Sequence, residues 1–150
     1  MVPSQALFLD HPEIRLPLRV VKAERGIGSF LTIDLLGEDA SMQSDGPTKW
    51  MIWIYLSDWV LRDGQADLLD SGCTDSTMYE QCLSKLEKAE LKRAVAVDAG
   101  ETCELSFSNG FELFIDDASD IYGQESEMLM IFRDGECAGV FKAGKGLVHR

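Results

Sequence analysis

Between Ala94 and Phe132 the chain has no lysine or arginine, and over all 150 residues it carries 14 basic side chains against 26 acidic ones, a net charge of −12. A surface that neutralises phosphates needs clustered Lys and Arg, so this scarcity argues against a DNA or RNA partner. It also opposes adhesion to anionic lipid. Histidine is nearly missing: His11 and His149 lie near the two ends, and a Ser-His or Cys-His nucleophile would need one of them folded inward. No apolar run approaches the roughly 20 residues of a membrane span. The first 17 residues lack a charged segment followed by a long apolar one, so no signal peptide is expected.

Cysteine is present but unclustered. Cys73, Cys82, Cys103 and Cys137 are too far apart for a C-x-x-C zinc or redox pair. Cys82, Cys103 and Cys137 fall on apolar faces and read as small buried hydrophobes. Cys73 could have its thiolate favoured by the helix start that follows, but it has no partner and reads as incidental. The expected location is a reducing cytoplasm. No cofactor is implied.

What is there is a chain of one-domain length, able to bury roughly 68–70% of its unfolded surface. Residues 1–17 hold three of the four prolines and read as an irregular lead-in. LRVVKAER and SFLTIDLLG read as two strands about a glycine-containing turn, and 38–49 as an exposed loop. WMIWIYL is apolar at nearly every position, which predicts a central strand covered on both faces. WVLRDGQADLL reads as a hairpin about Asp63-Gly64, with Leu61 facing Ala66 and Trp59 facing Leu68. Tyr79, Cys82, Leu83, Leu86 and Ala89 recur at helical spacing behind a Thr77-x-x-Glu80 capping box, which predicts one amphipathic helix over 76–91. Lys85, Lys88, Lys92 and Arg93 then gather toward its C-terminus. The remainder alternates as strands, with Asp134-Gly135 as another two-residue turn. The fold class is α+β: a mainly antiparallel hairpin meander, able to curl into a partial barrel, with the helix across it.

The segment CELSFSNGFELFI, 103–115, decides its own register. A two-residue loop at Asn109-Gly110 would set Phe111, Leu113 and Ile115 beside Ser108, Ser106 and Glu104, mixing the faces. A three-residue loop, Ser108-Asn109-Gly110, pairs Phe107 with Phe111, Leu105 with Leu113 and Cys103 with Ile115. It requires a left-handed residue at its last position, where Gly110 stands. Asn109 needs only a right-handed backbone, so its replacement is expected to cost less than that of Gly110.

Candidate chemistry is sparse. Gly26-x-Gly28 lacks the third glycine and following helix of a dinucleotide site. In DDASDIYGQESE, 116–127, the residues Asp116, Asp120 and Glu127 fall at calcium-loop positions one, five and twelve. Ala118 and Ile121 break positions three and six, so this reads as a solvated loop and no metal is expected. Trp50, Trp53 and Trp59 read as core, with Trp59 the candidate for partial exposure. Carboxylate pairs are abundant in so acidic a chain and therefore carry no signal.

The distinctive feature is the Lys- and Arg-free stretch. Its three-residue-loop register sets Glu104, Ser106, Glu112 and Phe114 on the face opposite Leu105, Phe107 and Leu113. Phe114 is then either covered by a second layer or an aromatic anchor ringed by acids. Glu104, Glu112, Phe114, Asp116, Asp117 and Asp120 are the candidate binding residues.

The order WIYLSDWVLRDG, LLDSG, a helix, then LSFSNGFELFI resembles small cytosolic bacterial proteins of unknown function, some of them similar to immunity proteins of polymorphic toxin systems. The resemblance covers about residues 50–116. It implies a non-enzymatic domain that binds and masks a toxin, often a basic nuclease, and it brings no catalytic residues. Three readings stand: an acidic protein-binding module with a basic protein partner, a small-molecule or carbohydrate-binding domain with a Trp-lined cleft, and an enzyme using carboxylates. A pocket lined by Trp would favour the second, and paired acids with perturbed pKa values the third.

Overall fold

The structure, a computed structural model, describes residues 5–6, 17–25, 30–37, 48–54, 57–72, 75–97, 102–117, 127–142 and 146–149. Its strands are β1 (Gln5–Ala6), β2 (Leu18–Arg25), β3 (Leu31–Gly37), β4 (Thr48–Ile54), β5 (Ser57–Asp63), β6 (Ala66–Asp70), β7 (Glu90–Val97), β8 (Thr102–Phe107), β9 (Phe111–Asp117), β10 (Glu127–Arg133), β11 (Glu136–Lys142) and β12 (Gly146–His149). Among the described residues there is one helix, α1 (Ser76–Ser84), between β6 and β7. All strands join one antiparallel sheet in the order β12-β11-β10-β4-β3-β2-β7-β8-β9-β5-β6, with β1 paired to β7 off this path. The sheet bends back far enough to bring β10 near β5 and β9, but it does not close. Among the described residues its path keeps two free ends, at β12 and β6.

The strands form where apolar side chains recur every second residue. β3 alternates buried and half-buried along its length, and β8 does so with Cys103, Leu105 and Phe107 inward. The inward residues build one cluster that includes Leu18, Ile33, Ile52, Trp59, Leu105, Leu113 and Phe141. Each such side chain contributes about 1.5–3 kcal/mol by leaving water, so the cluster dominates the stability of the fold. β4 is central, lying between β3 and β10. Its two faces differ, however: Trp50, Ile52 and Ile54 are buried while Met51 and Trp53 are only half-buried, where equal cover was expected.

The turn between β8 and β9 has the three-residue form. Leu105 pairs with Leu113 and Cys103 with Ile115, Gly110 has φ +90°, and its amide donates to the Phe107 carbonyl at 3.1 Å. Asp134 and Gly135 both have positive φ between the paired Arg133 and Glu136, as a type I′ turn requires. The β5–β6 hairpin differs from expectation. Its loop is Gly64-Gln65, because Asp63 pairs with Ala66, and a bulge then sets Leu61 opposite Leu69. Gly64 alone is left-handed there, with φ +64°, the pattern of a type II′ turn.

Helix α1 is shorter than its periodicity predicts and starts from a different cap. The Asp75 carboxylate accepts from the Thr77 amide at 2.9 Å and the Met78 amide at 3.3 Å, so Asp75 is the N-cap and Thr77 lies inside the first turn. After Ser84 the amides of Lys85, Leu86 and Glu87 bond three residues back, which tightens the chain out of α-geometry. Lys88 then takes a left-handed φ of 74°. Its amide donates to the Val20 carbonyl at 2.9 Å, and the Val20 amide donates to Ala89 at 2.8 Å. From Lys88 onward, pairing with β2 thus takes the place of a continued helix. Lys92 and Arg93 belong to β7 and not to a helix end.

A nine-residue helix is marginal in isolation. Its anchor is Tyr79, whose ring meets Trp59 edge-on at 5.9 Å and lies under the Arg25 guanidinium at 4.5 Å. The Tyr79 hydroxyl donates to the Asp70 carbonyl at 3.3 Å, so one side chain ties α1 to β2, β5 and β6. Trp59 is consequently buried, at 1% exposure, contrary to its expected partial exposure. The half-buried tryptophan is Trp53. Of the loop read over 38–49, residues 48–49 belong to β4 and the others lie outside the described residues. No helix among the described residues is long and apolar enough to cross a membrane.

Candidate functional site

β8, β9 and β5 lie side by side, and their outward residues assemble the acidic face. Phe114 pairs with Glu104 on one side and Val60 on the other. Glu112 lies between Ser106 and Arg62, and Asp116 between Thr102 and Asp58. Phe114 and Glu104 are half-buried, whereas Glu112, Asp116 and Asp58 are exposed. Phe114 is neither fully covered nor bare. The Arg62 guanidinium stands 5.0 Å from its ring centre, and Arg62 Nε donates to Asp67 Oδ1 at 2.7 Å. The Thr102 hydroxyl donates to Asp116 at 2.8 Å, which orients that carboxylate.

Of the candidate binding residues, Glu104, Glu112, Phe114 and Asp116 are therefore brought together around one ring. Asp117 pairs through its backbone with Ser57 at the end of β9. Asp120 lies outside the described residues. Asp58, Arg62 and Asp67 join the face from the β5–β6 hairpin and were not legible in the sequence. Nothing local signals that β5 pairs with a strand some fifty residues later.

The other half of the sheet carries a second feature, a cleft of about 490 Å³ on the outer side of β2, β3, β4 and β10. Among the described residues Asp34 and Lys49 are the charged side chains that line it, beside Val21, Leu36, Met51 and Phe132. Trp50 borders it, with the Arg133 guanidinium 5.9 Å from the Trp50 ring. Trp53 extends the same outer face, edge-on to Phe30 at 6.0 Å and tilted to Phe132 at 6.4 Å. Burial raises the Asp34 carboxyl above its ordinary value; Glu24 raises it further and Lys22 opposes both. The signal for Asp34 was present in LTIDLL, where one acid interrupts an apolar strand.

The cysteines occupy different environments. Cys103 is fully buried, and its thiol is pushed well above the ordinary range by burial and then by the charge of Asp116. Cys82 and Cys137 are only half-buried, less enclosed than their apolar spacing implied. Their thiols sit 3.9 Å from the Leu68 carbonyl and 3.7 Å from the Gly139 carbonyl. Among the described residues no group of three or more His, Cys, Asp or Glu is placed to hold a metal ion. His11, Gly26, Gly28, Cys73 and most of the acidic loop 116–127 lie outside the described residues.

No family model, curated protein or solved structure matches this chain. The functional reading therefore rests on its own residues.

Proposed function

We propose that this protein is a non-enzymatic, acidic protein-binding module, and that its partner is a basic protein docking on the outer face of β8, β9 and β5. The observation that carries the reading is the setting of Phe114, a half-buried aromatic with Glu104, Glu112, Asp116 and Asp58 on neighbouring outward positions. An aromatic anchor supplies desolvated area, and a rim of one charge supplies steering and selectivity. Arg62 already rests on the ring while paired with Asp67. It illustrates within the chain how a guanidinium from a partner would be received, over the aromatic ring with a carboxylate bonded to it. Within this reading the chain acts as an immunity protein masking a basic toxin.

The test is association kinetics against the product of the adjacent gene. Glu104→Lys, Glu112→Lys and Asp116→Lys together should slow association, more so at low salt, because they reverse the steering field. Phe114→Ala should chiefly speed dissociation. If both variants bind as wild type does, this face is not the docking surface.

A further inference from the structure

Asp34 and Lys49 carry opposite charges on one cleft and do not meet. Asp34 pairs with Met51, and Leu36 with Lys49, across β3 and β4. The two charged residues are therefore diagonal neighbours on one face, roughly 7–8 Å apart at the backbone. Among the described residues the salt bridges are Lys22–Glu24 and Arg62–Asp67, so neither Asp34 nor Lys49 is in one. Lys22 is the cross-strand partner of Asp34, but its ammonium turns to Glu24 at 3.4 Å. Asp34 is half-buried beside an apolar wall, and among the described residues nothing donates a hydrogen bond to its carboxylate. Partial burial disfavours the charged form of such a group, and a cation placed beside it would favour that form.

The cleft beside it, about 490 Å³, falls within the roughly 300–1,000 Å³ typical of small-molecule sites. Its composition narrows the class of ligand. A sugar would call for several hydrogen-bonding side chains around it, and among the described residues the charged or amide side chains here are Asp34 and Lys49. A purely apolar ligand would leave both charges unused. A simple anion would find Lys49 but would also face Asp34, Glu24 and the net charge of −12.

We propose that the cleft binds a small zwitterion with an apolar body, its ammonium group on Asp34, its acid group on Lys49, and its apolar part against Met51 and Phe132. The raised carboxyl of Asp34 agrees with this placement, since a cation at that point would reverse the shift. This site lies on different strands from the acidic face, so either can fail without the other.

Three probes separate the parts of the proposal: phenylalanine, which carries both charges, phenethylamine, which carries the cation, and 3-phenylpropionate, which carries the anion. Each is titrated into the full chain, with the Met51 methyl and Trp50 indole N–H followed by NMR. Saturable shifts are expected with phenylalanine. Asp34→Asn should weaken phenylalanine and phenethylamine by roughly tenfold or more, whereas Lys49→Gln should weaken phenylalanine and leave phenethylamine unchanged. No saturable shift with any probe up to about 10 mM would overturn the proposal. So would undiminished phenylalanine binding by Asp34→Asn. Should that variant not fold, the wild-type contrast still decides, because tighter binding of 3-phenylpropionate than of phenethylamine is incompatible with an ammonium on Asp34.

Discussion

The Asn109 side-chain amide donates to the Lys85 carbonyl at 2.9 Å, joining the β8–β9 turn to the C-cap of the helix. The same side chain accepts from the Phe111 amide at 3.1 Å. Beside it, the Ser108 amide donates to the Glu90 carbonyl and the Glu90 amide to the Ser108 hydroxyl, both at 2.8 Å. The turn, though exposed, is therefore a junction between α1, β7 and the β8–β9 hairpin.

That junction changes the expected ranking of substitutions. Gly110→Ala should destabilise by about 1–2 kcal/mol, the steric cost of its left-handed backbone. Asn109→Ala removes two hydrogen bonds of about 0.5–1.5 kcal/mol each, so its loss should be comparable and not smaller. Asn109→Asp keeps the acceptor for Phe111 and removes the donor to Lys85, and should fall between wild type and Asn109→Ala. Urea denaturation of the three variants checks this. A negligible effect of Asn109→Ala would mean that the bond to Lys85 adds nothing to stability.

Lys88 is held at φ 74° by its backbone bond to Val20, at a steric cost of about 1–2 kcal/mol. Glycine relieves that cost and loses about 0.4–1 kcal/mol through the greater freedom of the unfolded chain. Lys88→Gly should therefore stabilise the protein by about 0.5–1 kcal/mol, an uncommon direction for glycine. The same denaturation series reads it. A loss of stability would show that the Lys88 side chain contributes more than its backbone strain costs.

Asp34 should impose a pH-dependent penalty. Its folded pKa is raised above 3.8, so the native state keeps the proton to higher pH than the unfolded chain does. Stability is then lost as pH rises from the unfolded value through the folded one, and the loss is complete above both. Glu24, the neighbouring acid that pushes it upward, and Lys22, which opposes, remain in place in Asp34→Asn. That variant should melt higher than wild type at about pH 7, and the difference should close by about pH 3. Thermal melts across this range measure it, and a difference independent of pH would contradict the assignment to Asp34.

How much of this was legible in the sequence depended on the range of the interaction that decides each feature. Alternation of apolar residues in LTIDLL and TCELSF marked strands and their inward faces, because a pleated strand buried on one side must repeat every second residue. The register of β8 and β9 followed from the need to keep Leu105 opposite Leu113 with glycine at the left-handed site. Asp134-Gly135 was equally self-sufficient. Tertiary contacts decided the rest. Periodicity alone ran the helix to 91, but Val20 offered backbone partners to Lys88 and Ala89 and ended it early. At Asp63-Gly64 a bulge absorbed one residue and moved the turn, since the pairing of Leu61 with both Leu69 and Leu113 outweighed the local dipeptide preference. The acidic composition announced a charged protein. Only the pairing of β5 with β9 set Asp58 and Arg62 beside Phe114, and only the pairing of β3 with β4 set Asp34 diagonally from Lys49. Such juxtapositions join residues distant in sequence through backbone hydrogen bonds that any residue can make, and so they leave no local trace.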